Sequence, residues 1–464
     1  MRGRGFISIS LLGIFLLCLQ CAYFTDFSAE ELSGGINFTS YNFSKDAFGV
    51  QGNNLTRSES RFFQSGNELF RTNWVAAPAS VQSLDGLGPL FNANSCGSCH
   101  FKDGRGAPPD EPNGTRFGLL WRLNNGVKNQ KGASLPHPVY GTQIQDHSIP
   151  RAMAEADIVI TYDTIQDFYK DGTPYMLFKP NYELTNLAYG EIEENYKLSP
   201  RVASQVAGLG LLENIPVESL LANEDVNDGD GDGISGKANY VWNVLEDKKT
   251  IGRFGWKANQ PTILQQSASA FNGDMGLTSS LFPEDEFNTY QEAQNTPLPE
   301  GGYPEISDKQ LERITLYVQT LAIPAKRNTD KPQYLKGRTL FYDIGCESCH
   351  KASFTTGQNS KIASLNNQKI YPYTDLLLHD MGEDLADGAP DYDATGNEWR
   401  TAPLWGLGLI KTVNKHTRLL HDGRARNIEQ AILWHSGEAE SSKNEFLNLT
   451  KKEREDLLFF IESL

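Results

Sequence analysis

Polar and apolar positions along the chain fall into a few short helical periods, separated by long stretches rich in glycine and proline. Near the end, Leu457, Phe460, Ile461 and Leu464 share one helical face. Thr450 and Glu453 precede that face with the spacing of a capping box, in which each side chain satisfies the other's backbone N–H. Ser307 and Gln310 repeat the pattern ahead of Leu311, Ile314, Val318 and Leu321, and Pro324 stops that helix. Another start is predicted at Asn427 and Gln430, after which Ile428, Ala431, Ile432 and His435 fall at i, i+3, i+4 and i+7 on one apolar face. Leu335 to Gly345 predicts a short amphipathic helix, with Leu84 to Phe91 as a looser counterpart. The fold class expected from these periods is mainly α.

The longest apolar run, Phe6 to Cys21, directly follows Arg2 and Arg4 and gives way to polar sequence from Thr25 onward. That order predicts a secretory signal peptide over residues 1–24. A retained anchor helix is the alternative, although the run is shorter than the ~20 residues a span needs. Cys18 or Cys21 would be an acylation site if the mature protein were a lipoprotein, which would tie it to a membrane. Either way the expected location is the periplasm or cell envelope. With 42 Lys+Arg against 58 Asp+Glu and a net charge of −16, the chain lacks the basic face that nucleic acid requires. An acidic chain more plausibly meets small neutral substrates or basic partners.

Outside the leader, the cysteines occur only as Cys96-Gly97-Ser98-Cys99-His100 and Cys346-Glu347-Ser348-Cys349-His350. C-x-x-C-H is the attachment site of c-type haem: the two thiols form thioethers and the histidine becomes the proximal iron ligand. Two disulfides or a zinc site would also use four cysteines, but neither calls for a histidine after each pair. Two covalent haems are therefore expected, held by Cys96, Cys99 and His100 and by Cys346, Cys349 and His350.

A lead-in helix packed on a closing helix is the cytochrome c plan, and the periods above predict it twice. The expected organisation is two cytochrome c-like haem domains in tandem, residues 25–328 and 329–464, joined through the polar segment Ala325 to Gln333. The first carries a long loop-rich insertion between His100 and Ser307. Within it, Asp225-Val226-Asn227-Asp228-Gly229-Asp230-Gly231-Asp232-Gly233 places carboxylates at alternate positions, with Asp228, Asp230 and Asp232 as candidate calcium ligands. Position twelve of an EF-hand would be Asn239 rather than glutamate, and a solvated acidic turn is the alternative.

Further motifs carry a resemblance. Ser95 to Gly106, Gly252-Arg253-Phe254-Gly255-Trp256-Lys257, Phe271-Asn272-Gly273-Asp274, Tyr373 to Gly382, Trp399 to Gly406 and Leu420 to Arg426 occur in the order seen in the bacterial di-haem oxidoreductases, also called thiol oxidoreductases. From about Gly86 to the end the chain resembles that family, and more distantly the di-haem cytochrome c peroxidases and MauG-type enzymes. The resemblance implies an oxidoreductase with peroxide or substrate chemistry at the first haem and electron relay through the second, its expected partners being a small-molecule oxidant or substrate and a redox partner protein. It further implies that His435 closes the second iron, with a core histidine bonded to a carbonyl as the alternative. Met381 is a rival ligand that the resemblance places in the pocket lining. His379 and His421, in Asp-containing turns, are expected to bond haem propionates or to be ordinary turn residues.

For the first haem, His137 is the nearest downstream histidine, at a longer spacing than in the peroxidases. Asp274-Met275-Gly276 resembles their Glu-Met-Gly segment, which makes Asp274 the candidate acid/base residue; a polar helix end is the alternative. Where peroxidases place an arginine after Pro403-Leu404, this chain has Trp405. Three function classes follow: a peroxidase-like enzyme, a non-enzymatic di-haem electron carrier, and a haem-bearing sensor or assembly partner. The length of the insertion favours the enzyme, because a carrier needs far less chain per haem.

Overall fold

Capping boxes start the helices that organise the molecule. In the computed structural model, which describes residues 31–109, 118–285, 287, 289–294 and 301–464, reciprocal Thr56/Glu59, Ser307/Gln310 and Thr450/Glu453 bonds open α1 (Arg57–Arg71), α3 (Asp308–Gln319) and α7 (Lys451–Ser463). Between them lie α2 (Ile263–Met275), α4 (Pro332–Asp343), α5 (Ile428–Leu433) and α6 (Glu440–Asn448). The leader, with Cys18 and Cys21, lies outside the described residues. Among those described, no helix is long and apolar enough to cross a membrane.

Two close helix crossings recur. α1 meets α3 at Gly66, where a Cβ would lie 2.2 Å from the Arg313 carbonyl oxygen. α4 meets α7 at Gly337, where a Cβ would lie 1.9 Å from the Asp456 carbonyl oxygen. Only glycine lets the backbones approach so closely. Aromatic rings fill the space around each crossing: Tyr317 packs on Phe63 and Phe70, and Phe460 on Tyr334, Phe341 and Tyr373. One apolar core runs through both, from Phe63 and Tyr317 to Trp405, Phe341 and Phe460.

Among the described residues, the stretch between His100 and Ser307 carries more strand than helix. β1 (Leu119–Asn124) is the centre of an antiparallel sheet with β2 (Gln143–Ile144) and β5 (Lys197–Val202). β3 (Asp157–Phe168) and β4 (Pro174–Thr185) form a long hairpin. Further on, β6 (Leu378–Asp380) pairs with β7 (Glu398–Arg400). Helix accounts for 30% and strand for 19%, so the expectation of a mainly α chain holds for the crossings and not for the stretch between them.

The helix expected over Leu335 to Gly345 is α4, opened by Pro332 and ended by Gly345 at φ 81°. Its counterpart is α1 and not Leu84 to Phe91, where Gly86, Gly88 and Pro89 leave a short 3-10 turn at Gln82–Leu84 and a two-residue strand, Leu90–Phe91. The helix expected to carry His435 ends sooner than its apolar period: α5 stops at Leu433, and His435 bonds back from Nδ1 to the Ala431 carbonyl at 2.6 Å.

Candidate functional site

Cys346–Ser348 forms a tight 3-10 turn that follows α4 directly, so the helix delivers both thiols and His350 to one wall of an apolar cavity. Another wall is built by α5 through Ile428, Ala431 and Ile432, with His435 just beyond, while β6 and β7 add His379, Trp399 and Arg400. Met381 and His421 also line it. All four motif cysteines are free. The two pairs lie at separate places, so no four-cysteine metal site forms among the described residues.

The ring nitrogens sort the histidines. His350 bonds from Nδ1 to the Tyr373 carbonyl at 2.9 Å, and His100 from Nδ1 to the Ser204 carbonyl at 2.6 Å. With His435 held in the same way, each of these three rings has its Nδ1–H fixed by a backbone carbonyl, and Gly104 adds a second backbone interaction at His100. A metal-ligating histidine needs that arrangement, since a second bond sets the tautomer and aims the other lone pair. Burial also lowers all three pKa values, His350 to about 4, so the rings are neutral and able to ligate.

His379 is the opposite case. Its Nε2 meets Asp375 at 2.8 Å and its Nδ1 meets Glu438 at 2.7 Å. Burial alone would lower its pKa, but Asp375, Cys349 and Glu438 together hold it well above the ordinary value. It is a buried imidazolium with no lone pair to offer. His421 is neutral, its pKa pushed down to about 4 by burial, and stacks on Trp399 with centroids 3.8 Å apart. Neither is a surface turn residue: each is under 5% exposed.

The first motif sits on the short helix Cys96–Cys99 beside the end of α2. The backbone carbonyl of Asp274 accepts from Asn92 and Ala93, on the segment that leads into Cys96. Its carboxylate accepts from Gln143 Nε2 at 3.0 Å and acts electrostatically on His100, Cys96 and Cys99. Burial raises the Asp274 pKa, opposed by Arg122, Gln143 and His100. Burial and then the Asp274 charge push Cys96 up to about 12, and burial does the same to Cys346, so these thiols stay protonated. His137 is fully engaged elsewhere: Nε2 pairs with Glu193 at 2.9 Å and Nδ1 accepts from Val139 and Tyr140. Trp405 is buried, its ring packed on Gly208.

A short segment joins the two sites. The Val202 carbonyl accepts from Trp256 Nε1 at 2.7 Å, and two residues later the Ser204 carbonyl holds His100. Trp256 lines the second cavity, as does Arg105, whose guanidinium lies 5.0 Å from its ring centroid. In the acidic loop Asp228 and Asp230 converge with Asp225, all ligand atoms within 4.8 Å. Asp232 turns instead to the Ile234 N–H at 2.8 Å, and Asn239 is buried against the Lys257 and Asp391 carbonyls.

Sequence reasoning missed Arg122 and Gln143. They are register partners on β1 and β2, which places their side chains on one face of the sheet toward Asp274. Alternation within β1 was the available signal; the pairing of β1 with β2 was not visible. No curated protein and no solved structure matches the chain. The family described as "Di-haem oxidoreductase, putative peroxidase" matches residues 27–464, and by that match over nearly its whole length the chain belongs to the di-haem oxidoreductase family.

Proposed function

We propose that the protein is an exported, peroxidase-like c-type cytochrome with two covalent haems. In this reading residues 25–328 and 329–464 are two cytochrome c-like units, the first with a long insertion. The recurrence of a glycine-centred helix crossing beside each C-x-x-C-H motif supports it. Cys96, Cys99 and His100 hold one haem; Cys346, Cys349 and His350 hold the other, with His435 as its sixth ligand. When bound, the haems supply the electrons that reduce a peroxide, taken in turn from a redox partner protein.

The observation that carries an enzymatic reading is the buried Asp274 carboxyl beside His100, with its raised pKa. As the peroxide O–O bond breaks, Asp274 takes the proton from one oxygen and returns it to the other, which leaves as water. Two electrons and two protons in total convert hydrogen peroxide to two waters. Gln143 fixes the carboxylate, and Arg122 offers positive charge to the developing anion. Arg105, Trp256 and Val202 to Ser204 connect the two sites for the relay. In the acidic loop, Asp225, Asp228 and Asp230 would hold calcium.

Absorption and EPR spectra of the haem-loaded protein, with cyanide and peroxide titrations, test the proposal. One high-spin haem that binds cyanide and one low-spin haem that does not are expected. Two low-spin haems, neither binding cyanide even after partial reduction, would replace the enzyme by the electron carrier.

A further inference from the structure

The β3/β4 hairpin is longer than its own packing explains. β3 is buried at Ile158 and Ile160, but every residue from Asp163 to Phe168 is exposed. Burial returns at the tip: Tyr169 is 4% exposed, and its ring lies against Phe446 of α6. A shaft that crosses solvent in order to bury its tip indicates that the tip contacts matter.

Those contacts reach both walls of the second cavity. The Tyr169 hydroxyl donates to Glu429 Oε1 of α5 at 2.7 Å, and Gln430 of the same helix donates to the Met176 carbonyl of β4 at 3.0 Å. α5 is the helix whose end presents His435. Asp171 pairs with Arg454 of α7 at 2.8 Å, and the Arg454 guanidinium lies 3.7 Å from the Tyr169 ring centroid. The Lys170 N–H donates to the Leu447 carbonyl. α7 in turn backs α4, whose Phe341 stands beside His350. Tyr169 and Asp171 thus touch the helix behind one imidazole and the helix behind the other.

We propose that the hairpin tip is a tie-bar: through Tyr169 and Asp171 it fixes the separation of α5 and α7, and so sets how firmly His435 closes the second site. This rests on reading His435 as the sixth ligand. Two imidazoles that share one iron tolerate little change in their spacing, and a helix of only six residues holds its end less firmly without an outside tie. Tyr169, Asp171, Glu429 and Arg454 are positioning residues, since none lines the cavity.

The test uses the haem-loaded full chain with Tyr169→Phe, Asp171→Asn and the double variant. Exogenous imidazole and cyanide should enter the second site about tenfold faster in the double variant, because two bonds to charged groups are lost. A high-spin fraction should appear at the second haem while the first haem's cyanide affinity stays as it was. Unchanged ligand entry and spin state in a folded double variant would overturn the tie-bar. If the double variant does not fold, Asp171→Asn decides alone, because the Asp171 side chain is one-third exposed and its loss is mild. His435→Ala separates the two ideas: a second haem that stays low-spin in that variant removes the ligand assignment itself, whatever the hairpin variants do.

Discussion

At the first site α1 crosses α3 at Gly66, Phe70 stands 6.1 Å from His100, and a backbone carbonyl holds the imidazole. At the second, α4 crosses α7 at Gly337, Phe341 stands 6.4 Å from His350, and a carbonyl again holds the ring. The scaffolds beside the two motifs are therefore built alike. What faces the histidines differs: Asp274, Gln143 and Arg122 gather at one, while His435 and the apolar residues of α5 face the other. On the proposed reading, the helix crossing carries the attachment chemistry and the segments outside it decide reactivity.

The comparison breaks most severely at the cysteines. Replacing Cys96 and Cys99, or Cys346 and Cys349, with alanine should each halve the covalent haem stain; an unchanged stain would end the di-haem reading. Next comes the asymmetry of the two sites. Asp274→Asn should slow peroxide turnover by roughly 10²–10⁴-fold, the range of a lost acid/base group, while cyanide still binds the first haem. Turnover within twofold of the parent would return Asp274 to a helix-end role.

The shared scaffold can be tested at its two glycines. Gly66→Ala and Gly337→Ala each force a methyl into a neighbouring carbonyl and should cost about 1–3 kcal/mol, read from denaturant midpoints. A large loss at only one of them would show that the crossings are not equivalent.

Smaller effects mark features present on one side only. His379 lies between Asp375 and Glu438 beside the second motif, and its pKa is raised on folding. Its contribution to stability is therefore complete below the unfolded value near 6.5 and disappears as pH rises through the elevated folded value. Stability profiles of the parent and His379→Asn should converge on the alkaline side, and parallel profiles would refute the assignment. The smallest effect is expected of the acidic loop. If it holds calcium, chelator should lower the melting temperature by about 2–4 °C and calcium should restore it; superimposable curves would leave an ordinary turn.

Much of this was legible in the chain. Capping boxes and apolar stripes located α3 and α7 because their signals are local and contiguous. The C-x-x-C-H motifs were legible for the same reason. α1 was overlooked although Thr56 and Glu59 announce it, because a loop separates it from Cys96 whereas α4 runs straight into Cys346. The polar group beside the first motif was legible only in Asp274. Arg122 and Gln143 join it through strand register, and register depends on pairing that no single segment encodes. The helix period through His435 overran the real helix by two residues; His435 folds back onto Ala431 and lines the cavity beside the second motif.

The crossing at Gly66 also imposes an order of events on synthesis. α1 is made early, but the partner that covers it is α3, far along the chain. Until α3 emerges, α1 beside the first motif stays uncovered, and the burial that pushes Cys96 up to about 12 is incomplete. α4 and α7 are separated by far less chain, so the second motif passes more quickly from synthesis to enclosure. The first pair of thiols therefore remains accessible for longer than the second.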